Sequence, residues 1–117
     1  MEMIVVKSKI KEVAGDCNVA GDFAKALNEF AVSEVKDAAK RAEANGRKTV
    51  QAKDVFVGKT TAKTMLVVKS KVKGIVENCN ISGDFGDALN EILVSKVEQA
   101  AARAEANGRK TIGARDL

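Results

Sequence analysis

The sequence predicts an all-α fold of two tandem units, each a short helix, a long helix and a very short third helix, paired head to tail within one chain. Three observations predict it. Residues 3–55 recur at a constant offset of 62 as residues 65–117, and 32 of the 53 aligned positions are identical, which marks an internal repeat. Proline is absent, and the apolar residues between turn signals fall at helical spacing. Two copies are too few for a solenoid, which needs about three to bury a continuous core, so the copies are expected to pair with each other. The expected organisation is a first repeat over residues 1–57, a linker over 58–64 and a second repeat over 65–117, together one globular unit.

In each copy Ser8 or Ser70 can cap a short first helix, residues 9–14 in the first copy, with Ile10, Val13 and Ala14 on its apolar side and Val72, Ile75 and Val76 repeating them. A loop of small and amide residues follows, and Ser82 reads as the cap of the next helix. That helix runs from about Gly21 to Asn45, and again from Gly83 to Asn107, for a length of about 36 Å. Its expected inward stripe is Phe23, Leu27, Phe30, Val35, Ala38 and Ala42, answered by Phe85, Leu89, Ile92, Val97, Ala100 and Ala104. Asn45-Gly46 and Asn107-Gly108 end the long helices with left-handed caps. Thr49 and Thr111 can then cap the third helix, QAKDV or GARDL.

A long helix with only short neighbours cannot bury its stripe, so the long helix of the other copy is the expected partner. Crossing them head to tail brings the first loop of each copy to the second loop of the other, with Val19 near Ile112 and Ile81 near Val50 as short paired strands. The polar residues 58–64, GKTTAKT, suit a surface tether.

Composition narrows the function. Twenty basic and 16 acidic side chains give a net charge of +4, a mixed surface compatible with an anionic partner. The first half carries +3 (residues 1–64, 12 basic and 9 acidic) and the second +1 (residues 65–117, 8 and 7), so the two ends are expected to grip unequally. Cys17 and Cys79 hold the same place in each copy, lack a CxxC partner and come with no histidine, so neither a metal site nor a disulfide is expected. They read as small buried hydrophobes. No apolar run approaches the roughly 18 residues of a membrane helix, and a cytoplasmic protein is expected, with no membrane partner, cofactor or small-molecule substrate. No nucleotide-binding glycine motif occurs, and the acidic residues are scattered as on solvated faces; an enzyme is not expected.

At this point the residues resemble a known family. The order of helices, the loop A-x-x-N-G-R-K-T-[VI]-x-A-[KR]-D and the short A-x-D third helix resemble the histone fold, over almost the whole chain and twice. The S-K-[IV]-K first helix, the GDF start of the long helix and the brief third helix look most like prokaryotic histones of the face-to-face type, here as a tandem doublet. The resemblance implies an intramolecular handshake pseudo-dimer, self-association of two chains into a pseudo-tetramer, and a chromosome- or nucleoid-associated protein. It implies structural ion pairs of Arg47 with Asp54 and Arg109 with Asp116, while Lys48, Thr49, Lys110 and Thr111 face DNA. One departure stands out: Asn18 and Asn80 occupy the places where typical histones carry a first-loop arginine, the type of residue that enters the minor groove of wrapped DNA.

The residues themselves point the same way. Each second loop places Arg, Lys and Thr before the third helix, whose free N–H groups and dipole are expected to attract phosphate. Each first helix begins K-S-K-x-K, offering Lys7, Ser8, Lys9 and Lys11 in one copy and Lys69, Ser70, Lys71 and Lys73 in the other as a second anion site. Such groups read backbone and shape, and with four phenylalanines as the only aromatics, single-strand stacking is disfavoured. Double-stranded DNA, bound without sequence choice for chromosome packaging, is the expected partner. The reading from a different class is a protein-interaction module of a transcription-related complex, with little DNA affinity of its own.

Overall fold

The computed structural model describes residues 3–55, 64–76 and 79–117; residues 58–63 of the expected linker lie outside them. The order of elements is α1 (Lys7–Ala14), β1 (Asn18–Val19), α2 (Gly21–Ala44), β2 (Thr49–Val50), a 3-10 turn (Ala52–Asp54), α3 (Lys69–Lys73), β3 (Asn80–Ile81), α4 (Gly83–Ala106), β4 (Thr111–Ile112) and a second 3-10 turn (Ala114–Asp116).

The long helices α2 and α4 have 24 residues each. Each ends where Gly46 or Gly108 takes a left-handed φ of 72° or 70°, a conformation that costs a side-chain-bearing residue more than glycine. The chain then folds back, and the N–H groups of Gly46 and Arg47 reach the carbonyls of Glu43 and Ala42 at 3.0 and 2.9 Å, which satisfies the last carbonyls of the helix.

The two long helices pack together in opposite senses. Cys17, just before α2, lies against Glu105 near the end of α4, and Cys79 lies against Glu43 near the end of α2. Their buried stripes are Phe23, Leu27, Ala31, Val35, Ala38 and Ala42 on α2, and Phe85, Leu89, Leu93, Val97, Ala100 and Ala104 on α4. Phe30 and Ile92, expected on the stripe, are only partly buried. Spacing of four from Phe23 through Leu27 selects position 31, and its match 93, as the next inward place, leaving 30 and 92 at the margin. Phe30 lies there under the ammonium of Lys96, 5.1 Å from the ring centre.

Parallel two-residue ladders join the halves. Asn18 and Val19 pair with Thr111 and Ile112, and Thr49 and Val50 pair with Asn80 and Ile81. Ile112 and Val50 are fully buried, so the ladders close the two ends of the apolar core. A third junction was not foreseen: Val5 and Val67 form an antiparallel bridge.

That bridge also corrects the expected caps. It keeps Val6 and Val68 extended, and these residues, not Ser8 and Ser70, precede the first helices. Both serines therefore sit inside the first turn, and no side chain caps either helix. Helix α3 stops at Lys73, short of Ile75 and Val76, whereas α1 continues to Ala14. Ser82 does precede α4, but its hydroxyl donates to the Asp84 carboxylate and makes no cap to the backbone. Thr49 and Thr111 are spent in the ladders, so Gln51 and Gly113 precede the third helices, which are single 3-10 turns.

Candidate nucleic-acid interface

The second loops are held by two matched ion pairs. The Arg47 guanidinium meets Asp54 with both branches, at 3.0 and 2.7 Å, and Arg109 meets Asp116 at 2.7 and 2.6 Å. Both carboxylates are nearly buried. A fork of this kind is a strong charge-assisted contact because two parallel N–H bonds match the two oxygens. The Arg109 hydrogen bonds, with the Gly113 amide, hold the Asp116 carboxyl down at about 2; those of Arg47, aided by the Gln51 amide, hold Asp54 below the usual carboxylate range. Arg41 and Arg103 add a bond to the carbonyls of Asp54 and Asp116.

This arrangement alters one expectation. The amides at the start of each third turn are already occupied: Gln51 and Gly113 donate to Asp54 and Asp116 at 2.8 Å. The next amides, Ala52 and Ala114, donate to Asp84 and Asp22 at 3.3 Å. Each of those aspartates belongs to the other half of the chain. Four carboxylates therefore fill the places in which phosphate was expected, and the turns are too short to carry a helix dipole. Of the other residues expected to contact phosphate here, Lys48, Lys110 and Thr111 are exposed and Thr49 is half-buried.

The ladders set these residues beside the first loops. The Asn18 amide donates to the Lys110 carbonyl and the Asn80 amide to the Lys48 carbonyl, each at 2.7 Å. Asn18 and Asn80 are exposed. From Asn18 a groove runs along Val19, Ala20 and Ala24 to Lys7, Ser8 and Lys11. Its counterpart runs from Asn80 along Ile81 and Gly86 to Lys69, Ser70 and Lys73. The Val5–Val67 bridge lies just before Lys7 and Lys69, where the two first helices begin.

The first-helix lysines divide into three kinds. Lys11 donates to the carbonyl of Cys17 at 2.6 Å, and Lys73 donates to that of Cys79, so both fasten their own first loop. Lys9 is paired with Glu12 at 3.5 Å, and Lys69 with Asp87 at 2.9 Å, with all four side chains about half exposed. Lys7 and Lys71 make no ion pair among the described residues.

Two pairs of residues were missed in the sequence. Asn28 and Asn90 are buried in the long helices, and their carbonyl oxygens accept the amides of Ile4 and Leu66 at 2.8 and 2.6 Å. Their repetition one residue after Leu27 and Leu89 was the available signal, since a polar side chain beside a core position needs a partner. Asp22 and Asp84, read only as helix starts, reach across to the opposite half.

No protein-family model matches the chain, and no curated protein matches it. Solved structures do. The histone from Methanopyrus kandleri is similar over 96% of this chain and 89% of its own, with a TM-score of 0.62 and 20% sequence identity. This likeness shows that the chain has the fold of that histone.

Proposed function

We propose that this chain binds double-stranded DNA along its phosphate backbone, without sequence choice, as a histone doublet of the face-to-face type that serves chromosome packaging in the cytoplasm. Its two halves act as an intramolecular handshake pseudo-dimer, and two chains associate into a pseudo-tetramer. One observation carries the reading: a succession in which the ladders set Lys110 beside Asn18 and Lys48 beside Asn80, each first loop shares a groove with the start of its first helix, and the Val5–Val67 bridge ties the two halves where those helices begin. Lysines recur at the middle and at both ends of that succession, as a charged rod requires. The ion pairs Arg47–Asp54 and Arg109–Asp116 serve as loop braces. Ser8, Ser70, Thr49 and Thr111 supply hydroxyl donors beside the lysines, and Lys9 and Lys71 add charge along the first helices.

Duplex is favoured over single strands by the aromatics. Phe23 and Phe85 are fully buried and Phe30 is covered by Lys96, which leaves no stacking platform among the described residues. The first-loop asparagines favour coating or bending over tight wrapping, because they offer no cation to a narrowed minor groove. No catalytic step is assigned.

The deciding experiment is fluorescence anisotropy with a random-sequence duplex at several salt concentrations. Neutralisation of about six phosphates gives a slope of log K against log salt near −5. The double variant Lys48→Glu, Lys110→Glu is expected to bind at least about tenfold more weakly with unchanged helicity. A slope near zero, or no micromolar binding even at low salt, refutes the proposal and favours a protein-interaction module. Light scattering with and without duplex tests the association of chains.

A further inference from the structure

We infer that the two halves do not hold DNA equally: the phosphate contact at the middle of the molecule is made by Lys7 together with Lys25 of the first half, while Lys69 of the second half is withdrawn from it by Asp87 and Gly86. The inference rests on the DNA-binding reading above. It adds Lys25, which neither sequence motif nor resemblance singled out, and removes Lys69.

The cause is a two-residue difference at one place in the repeat. Ala24-Lys25 in the first copy is Gly86-Asp87 in the second. In the second half the Lys69 side chain lies along α4, so close that a β-carbon at position 86 would come within 2.8 Å of its Cγ. Only glycine leaves that path open. Lys69 follows it to Asp87, with Nζ 2.9 Å from the carboxylate. In the first half Ala24 already carries the obstructing carbon, so Lys7 cannot lie down along α2 as Lys69 lies along α4. Nor would it find a partner there, because the matching residue is Lys25, which is exposed.

The charge difference follows directly. Lys7 with Lys25 makes two cations, and Lys69 with Asp87 sums to none. The pair Lys69–Asp87 is half exposed and contributes little to stability. Its effect is electrostatic: a carboxylate this close lies well inside the screening length of about 8–10 Å. A lysine already neutralised by it releases few counterions when phosphate approaches. The acids nearest along the long helices leave the contrast intact, since Asp22 and Glu29 recur as Asp84 and Glu91; Glu34 and Asp37, which are replaced by Lys96 and Gln99, and Glu98, which replaces Lys36, lie two turns or more farther along. Glu12, matched by Gly74, offsets one charge of the first half, but it does so three residues along α1, where it pairs with Lys9.

Anisotropy titrations of the full chain with a random duplex of about 30 base pairs test this. Lys7→Gln and Lys25→Gln are each expected to weaken binding about three- to tenfold and to flatten the salt slope by about one. Lys69→Gln is expected to change affinity less than about twofold, because its charge is already spent. Asp87→Asn, which frees Lys69, is expected to tighten binding about threefold or more and to steepen the slope. Circular dichroism of each variant confirms an unchanged fold. Equal losses for Lys7→Gln and Lys69→Gln, or no gain from Asp87→Asn, overturn the inference while leaving DNA binding in place. A wild-type chain that binds no duplex overturns the functional reading and this inference with it.

Discussion

Val5 and Val67 meet across an antiparallel bridge, with the Val6 amide 2.7 Å from the Leu66 carbonyl and the Val68 amide 2.8 Å from that of Ile4. The two first helices consequently begin on opposite sides of one short junction. The junction is anchored to the core from below: Asn28 and Asn90 accept the Ile4 and Leu66 amides, and Asn90 also donates to the Thr64 carbonyl at 2.9 Å. A segment of two apolar β-branched residues in each half thus decides how the basic helix starts are spaced.

Removing one of these anchors tests its weight. Asn90→Ala leaves the Leu66 amide without its acceptor in a buried place, and unfolding in urea is expected to show a loss of about 1–3 kcal/mol. A loss below about 0.5 kcal/mol would mean that water or a shifted backbone replaces the amide without difficulty.

The apolar core is one cluster to which both halves contribute, including Phe23 and Phe85, both fully buried. Phe23→Ala and Phe85→Ala are each expected to cost about 3–5 kcal/mol. Calorimetry should show a single transition for each variant, because neither half retains a core when the other opens. Two separate transitions would show that the halves fold independently.

Acid should weaken the braces of the second loops. Asp116 is held at about 2 and Asp54 is also lowered, against about 3.9 for aspartate in an unfolded chain. A carboxyl with a lowered folded value contributes stability that is complete above the unfolded value and is lost as pH falls toward the folded one. The contribution of these pairs is therefore constant above about pH 5 and declines from about pH 4 toward 2. Asp54→Asn with Asp116→Asn should remove most of that decline and lower Tm at neutral pH; a double variant with the wild-type acid profile would show that other groups govern it.

Cys17 is buried with its sulfur 3.7 Å from Glu105. Burial first, then the Glu105 charge, pushes its thiol pKa up, and the thiolate is the reactive form. Its reaction with an aromatic disulfide reagent is expected to be at least about a hundredfold slower in buffer than in urea. Mild oxidant should leave Cys17 and Cys79 unlinked, since they lie near opposite ends of a helix of about 36 Å. Recovery of an intramolecular disulfide from native protein would contradict the crossing of α2 and α4.

The helices were legible because their rules are local. Gly21–Ala44 and Gly83–Ala106 follow from unbroken apolar spacing and an Asn-Gly stop, and the duplication made each reading a test of the other. Phe30 and Ile92 were misplaced by one residue because a large side chain invites assignment to the core, whereas the turn of the helix places Ala31 and Leu93 there. The ion pairs Arg47–Asp54 and Arg109–Asp116 span seven residues and were within reach of a motif. The caps were not: Ser8, Ser70, Thr49 and Thr111 all precede plausible helix starts, and each lost that role to a strand contact from the other half.

Helix identity, helix ends and the apolar faces were thus carried by the order of residues, because each depends on neighbours within a turn or two. Which amides are left open to an anion, and which lysines are spent, depended on the assembled chain. Ala114 is capped by Asp22 from 92 residues away, and Lys69 differs from Lys7 through the surface of α4 on which it lies. Such contacts leave no periodic trace, since they arise only when two separately formed surfaces meet.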